Sequence, residues 1–290
     1  MPRWPDPTIE EPDRPPGGWQ FPRFRQRSAA WLGGLVDLVI PPACLWCGTD
    51  TEWAAAPFCN DCLCRLCPDL PAMCGRCAMP LPPQGEGGCP ACAMRRRRWP
   101  IDSVTCLGYY DGTLRQAVLR MKRLVHLPLA RGLGRLLAER IASSVASFDA
   151  VVPVPMHWTR RWRGVADRCQ VLAEQVGRVL DVPVVPILTA VRRVGKQGTL
   201  SVAERFGNVR GAFEVDTTYD INGLRLLVID DVMTTGATAT AMATAARRAG
   251  AAATSLAVVA RAVDRPIATH PDSPPAGLTR STIESHADHV

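Results

Sequence analysis

The apolar positions of this chain follow two rhythms. Unbroken apolar runs recur at about Asp149–Val154, Val182–Leu188 and Leu226–Ile229. Runs without polar alternation are the pattern of strands covered on both faces of a parallel sheet. Around them, about Ala166–Leu180 and the alanine-rich Ala237–Ala249 have helical character, so helix and strand alternate as crossover units. The pattern predicts an α/β domain, a parallel sheet flanked by helices. Trp31, Leu32, Leu35, Val36 and Val39 have helical spacing and predict a short helix packed on the rest of the protein, with attachment to a membrane surface as the alternative.

Composition changes the picture at one segment. Of 290 residues, 47% are hydrophobic and twelve are cysteine, enough apolar content for a real core in about two domains. The longest apolar candidate for a span, Ala29–Ile40, is short and interrupted by Asp37, and no stretch reads as a signal peptide. Stable membrane insertion is therefore not expected, and the chain reads as cytoplasmic. In a reducing compartment clustered cysteines bind metal more readily than they form disulfides. Cys44, Cys47, Cys59 and Cys62 form C-x2-C-x11-C-x2-C, and the same spacing returns thirty residues later at Cys74, Cys77, Cys89 and Cys92. Each set supplies four thiolates for one tetrahedral Zn2+, which predicts two closed structural sites. Cys64 and Cys67 make a further CxxC that can substitute in the first site; the copied spacing favours 44/47/59/62. Cys106 and Cys169 are isolated and read as buried packing.

The chemistry concentrates after the third apolar run. Asp230 and Asp231 follow Ile229, and ligands of open parallel sheets bind beyond the carboxyl ends of the strands. Two adjacent carboxylates suit the hydroxyls of a ribose and help to hold a hydrated Mg2+. Thr234, Thr235, Gly236, Ala237 and Thr238 come next, with Gly236 permitting close backbone approach, and a loop that opens a helix presents N–H groups to phosphate. The stretch reads as a sugar-phosphate site. The bland alternative is a solvated acidic turn with an ordinary helix cap.

The run VIDDVMTTGAT resembles the phosphoribosyl pyrophosphate (PRPP) signature of type I phosphoribosyltransferases. With two zinc ribbons ahead of it, the chain resembles the ComF family of competence-associated, phosphoribosyltransferase-like proteins over about residues 35 to 262. Supporting pieces are Gly108–Arg115 with Met121–Arg123, Val151–Pro155 with Arg161–Gly164, and Gln197–Asn208. The resemblance implies a type I phosphoribosyltransferase-like sheet preceded by a small double zinc-ribbon domain. The boundaries expected are a disordered 1–27, a short helix and double ribbon over 28–100, the phosphoribosyltransferase-like domain over 101–263, and a disordered tail over 264–290.

The same resemblance assigns PRPP with Mg2+ to Asp230, Asp231 and Thr234–Thr238. It makes the Pro153/Pro155 loop, with Val154 and Pro155, face pyrophosphate, by a strained or cis peptide; a simple strand terminator is the other reading. Arg161 and Arg163 are candidate pyrophosphate forks, and Arg193, Lys196 and Gln197 belong to a mobile lid over about Arg192–Asn208. The chain departs from the family at Val165, Ala166 and Asp167, where an aromatic residue, Asn and Gln are usual. Thr234 stands where several purine-specific relatives carry an acidic base, so no nucleobase acceptor is named. The net charge of +7, arginine blocks at Arg95–Arg98 and Arg160–Arg163, and nearby Trp99, Tyr109, Tyr110, Trp158 and Trp162 suit single-stranded DNA as an alternative ligand. The family association adds proteins of the competence machinery as partners.

Overall fold

The structure is a computed structural model that describes residues 43–51, 57–68, 70, 72–82, 88–94, 99–144, 146–155, 167–192 and 202–263. The helical stripe at Trp31–Val39, both chain ends and the blocks at 95–98 and 160–163 lie outside them.

Four parallel strands make the central sheet, in the order β1 (Val104–Tyr109), β6 (Ala253–Arg261), β5 (Arg225–Met233), β2 (Ala150–Pro153). The unbroken apolar runs are explained by burial on both faces. Leu226 and Val228 enter one core and Leu227 and Ile229 the other. Beyond the acid pair this alternation slips by one residue, and Val232 packs on the Leu227 side while Met233 packs on the Leu226 side.

Helices α3 (Gly112–Arg120), α4 (Leu127–Ala142) and α5 (Arg168–Leu180) bury Leu114, Leu133, Leu137 and Leu172 against one face. Helix α7 (Ala237–Arg248) covers the other with Ala239, Met242, Ala243 and Ala246. Two short helices, α1 (Asn60–Leu66) and α2 (Pro90–Ala93), sit in the cysteine-rich segment. A separate antiparallel ribbon pairs β3 (Leu188–Ala190) with β4 (Phe213–Val215), and α6 (Val202–Val209) lies between them in sequence.

Two expectations are corrected. Residues 182–188 are not a strand of the main sheet: Val184 makes one isolated bridge to Val151, and β3 begins only at Leu188. Pro183 and Pro186 remove two donors from that run, which prevents a continuous ladder. The strand expected at Leu226–Ile229 instead continues to Met233, so the carboxylates lie within β5 rather than beyond it.

The two cysteine-rich modules grip opposite faces. Cys44, Phe58, Cys62 and Leu66 join the core beneath α3 and α4. Cys77 and Ala78 join the core of α7, with Trp99 and Met233. The first grip is tight: a Cβ on Gly132 of α4 would lie 2.9 Å from the Phe58 ring and 3.0 Å from Leu45. Phe58 is 4% exposed, so Phe58→Ala should destabilise the protein by roughly 3–5 kcal/mol through lost transfer energy plus a cavity. Thermal melting of the two purified proteins checks this, and an unchanged melting temperature would show that the first module does not contribute to the fold.

Candidate functional site

The site grows out of unequal strand lengths. β2 ends where Pro153 stands opposite Ile229, and Val154 N–H adds a last bond to the Ile229 carbonyl at 3.0 Å. β5 and β6 run on together to Met233 and Arg261. Asp230 and Asp231 therefore emerge on β5 just as its β2 neighbour stops, opening an edge where a ligand can reach them. Peptide bonds among the described residues are all trans, those of the Pro153–Pro155 loop included.

The two carboxylates are not equivalent. Asp231 is buried; its Oδ2 accepts from Arg168 Nε at 2.5 Å and its Oδ1 from Val232 N–H at 2.8 Å. Asp230 Oδ1 accepts from Asp231 N–H at 2.8 Å and from the Cys169 thiol at 3.6 Å. Its Oδ2 has no hydrogen-bond partner among the described residues. One acid is thus committed to the scaffold and the other has acceptor capacity to spare.

Charge follows the same division. Burial, then the charge of Asp231, pushes the Asp230 carboxyl up to about 7, against the Asp231 N–H, Arg168 and Cys169. Burial and both carboxylates hold the Cys169 thiol well above its ordinary range. Burial works against the charge of Arg168, but the attraction of Asp231, Cys169 and Asp230 and the hydrogen bond to Asp231 together outweigh it, so the guanidinium pKa is raised.

Residue order alone does not mark Arg168 and Cys169 as site residues. They open α5, whose N-cap is Asp167, accepting from Gln170 N–H at 3.2 Å. A cation in the first turn of a helix runs against the helix dipole. That anomaly becomes readable only once the helix start is placed at Arg168 rather than near Ala166. Asp167, one of the positions that departs from the family pattern, acts here as a cap. Cys169 is buried as expected, with the added contact to Asp230.

The turn after β5 leads directly into α7. Gly236 is its N-cap, at φ +78°, a left-handed conformation that disfavours side chains. A Cβ there would meet Met233 Cε at 2.7 Å and Trp99 Cζ2 at 3.3 Å. Thr234 is exposed, Thr235 and Thr238 are half-buried, and Gly236 and Ala237 are buried. Arg192 donates to the carbonyls of Asn208 and Arg210, both at 2.9 Å, so this end of the expected lid is tied down. Arg161, Arg163, Arg193, Lys196 and Gln197 lie outside the described residues; Val154 and Pro155 are half-buried beside the open edge.

Each cysteine set converges as its spacing requires. The sulfurs of Cys44, Cys47, Cys59 and Cys62, and those of Cys74, Cys77, Cys89 and Cys92, lie within 4.8 Å of one another. Cys47–Cys59 is 3.7 Å, Cys74–Cys92 3.8 Å and Cys77–Cys89 3.5 Å. A tetrahedron with Zn–S bonds of about 2.3 Å has edges of about 3.8 Å, so both sets can hold Zn2+. Cys64 and Cys67 stand outside both clusters, and burial pushes the Cys67 thiol up to about 11.

Asp230 also makes stability depend on pH. Its folded pKa is raised from an ordinary value near 4, so the ligand-free protein binds a proton that the unfolded chain has released. The stability tied to that proton is full below about pH 4 and lost as pH rises through about 7. Relative to wild type, Asp230→Asn should gain stability across that window. Parallel melting curves that do not diverge with pH would contradict the burial of this charge.

Comparison with known proteins bears on this geometry. The phosphoribosyl transferase domain family model matches residues 163–286, which includes the acid pair and the glycine turn. Competence protein F of Haemophilus influenzae is 28% identical over 214 residues, covering 71% of this chain and 91% of that protein. DNA utilization protein YhgH of Salmonella typhi is 27% identical over 224 residues, covering 74% and 95% respectively. Among solved structures, a glutamine PRPP amidotransferase from B. subtilis is 23% identical over 55% of this chain and 31% of its own, at a TM-score of 0.34, too low to bear on the assignment. The fold is a phosphoribosyltransferase-like parallel sheet flanked by helices, preceded by a small segment of two four-cysteine clusters. The chain covers nearly the whole length of these two relatives, and that similarity, the phosphoribosyl transferase domain match and the two four-cysteine clusters together support a ComF-type protein.

Proposed function

We propose that the chain binds PRPP with Mg2+ at the carboxyl end of β5, as a phosphoribosyltransferase-like protein serving DNA uptake or nucleotide metabolism. The observation that carries this reading is the half-buried Asp230, with an oxygen to spare, upstream of a left-handed glycine at a helix N-terminus. Asp230 accepts from a ribose hydroxyl and, with Asp231, fits Mg2+, which favours carboxylate and phosphate oxygens and keeps several waters. A cation held by these carboxylates would offset charge on the pyrophosphate. Asp231, held by Arg168, fixes the backbone from which Asp230 projects. The N–H groups of Thr234–Thr238 receive the 5′-phosphate. Val154 and Pro155, with Arg161, Arg163, Arg193, Lys196 and Gln197, form the pyrophosphate side and lid. No acidic base stands at Thr234, so the acceptor brings its own nucleophile or another side chain serves. The cysteine-rich segment, ending near residue 100, holds two structural Zn2+ and precedes the domain that carries this site.

Calorimetric titration with PRPP and Mg2+ tests the site. Replacing both acids, Asp230→Asn with Asp231→Asn, removes at least two charge-assisted interactions, roughly 3 kcal/mol or more, and should weaken binding more than about a hundredfold. Equal affinity in both proteins would sink the assignment.

A second reading rests on one surface. Arg115, Arg120, Lys122 and Arg123 are exposed along α3 and the turn after it, and Arg120 lies 4.1 Å over the Trp46 ring of the first cysteine module. Such a basic and aromatic strip suits a single strand of DNA, in keeping with the similarity to the DNA utilization protein YhgH. Affinity for an oligonucleotide should then fall steeply between low and moderate salt; binding that ignores salt, or none, ends this reading.

A further inference from the structure

The second cysteine module is wired to the loop that follows the acid pair, by two separate routes. The first is Arg261, at the end of β6 and 5% exposed. Its Nε donates to the carbonyl of Cys77, itself one of the cluster cysteines, at 3.1 Å. Its Nη1 donates to the carbonyls of Met233 at 3.0 Å, Ala262 at 2.6 Å and Thr234. Its Nη2 contacts Met79 Sδ at 3.2 Å. One guanidinium thus ties the cysteine knuckle to the first two carbonyls of the loop.

The second route is Trp99. Its indole N–H donates to Thr240 Oγ1 at 2.8 Å, and that hydroxyl donates to the Gly236 carbonyl at 2.7 Å. Its own carbonyl accepts from Arg76 of the Cys74–Cys77 knuckle at 3.2 Å. Its ring lies where a side chain on Gly236 would have to go. The described residues of the first cysteine module pack on the opposite face, beneath α3 and α4.

The geometry points to Arg261 and Trp99 as positioning residues through which the second cysteine module, and not the first, sets the conformation of the phosphate-binding loop. The reason lies in the planarity of the peptide group. In a trans peptide the N–H points opposite to the preceding C=O. Drawing the carbonyls of Met233 and Thr234 toward Arg261 turns the N–H groups of Thr234 and Thr235 away from it, toward the side where an anion is bound. The guanidinium also leaves a buried positive charge behind the loop. This rests on the PRPP reading above and adds to it a dependence of ligand affinity on one of the two metal sites. Thermodynamic reciprocity then requires that ligand on the loop stabilise that site and leave the other unaffected.

The test uses the full-length protein with both sites loaded with 113Cd2+, which gives one resonance per cluster, assigned through the cysteine protons. Titrating PRPP and Mg2+ into wild type should move only the resonance of the Cys74/77/89/92 cluster. Arg261→Gln and Trp99→Phe should each keep two metals per chain and the first-cluster resonance. Each should bind PRPP roughly tenfold more weakly, the equivalent of one or two hydrogen bonds, and show a diminished shift. Hydrogen exchange without ligand supplies the second arm: amides of 233–238 should exchange faster in either variant. The inference is overturned if wild type binds PRPP but neither resonance moves or both move alike. It is overturned equally if the variants, with metals retained, match wild type in exchange. Should wild type fail to bind PRPP, the functional reading falls, and the exchange arm alone decides whether the module braces the loop.

Discussion

A parallel sheet whose strands stop at different heights makes everything else here possible. β2 makes its last ladder bond from the Val154 N–H to the Ile229 carbonyl, while β5 and β6 stay paired for four further residues. Along that extension β5 is paired with β6 on one edge and, among the described residues, with no strand on the other. Carboxylates placed there are held by rigid backbone, with Asp230 left half-buried and an oxygen to spare, a combination that loops cannot provide with the same precision. The glycine turn and α7 inherit their position from this ledge.

Holding two acids side by side in a half-buried crevice is costly, and the protein offsets the cost on one side. Arg168 and the Val232 N–H take up Asp231, whereas Asp230, facing the Cys169 thiol, keeps a raised pKa and a spare oxygen. Removing one partner of such a pair leaves an unpaired charge. The asymmetry lets a ligand or cation engage Asp230 without competing for the ion pair.

Much of this is legible from residue order alone. The cysteine spacing defines both clusters because four thiols at those separations have few other uses, and the acid pair followed by TTG locates the ledge. The strand expected at 182–188 fails because apolar content does not register that Pro183 and Pro186 lack donors. Arg168, Trp99 and Arg261 escape notice for a different reason. Their partners Asp231, Thr240 and Cys77 lie 63, 141 and 184 residues away in sequence, and no periodicity encodes a contact of that range. Only the register of β5 with β6, which brings Arg261 beside Met233, makes the last of them apparent.

Duplicate sequence spacing invites the idea of duplicate roles, and the packing argues otherwise. A segment of this kind has little core of its own and takes its order from metal and from what it leans on. The first module leans on α4 through Phe58 and Leu45, so its order is exchanged with the helical layer. The second leans on Arg261, Trp99 and Met233, the residues that frame the glycine turn after β5. Because the two lie on opposite faces of one sheet, a repeat identical in ligand chemistry has become unequal in consequence: one module supports the fold, and the other the site.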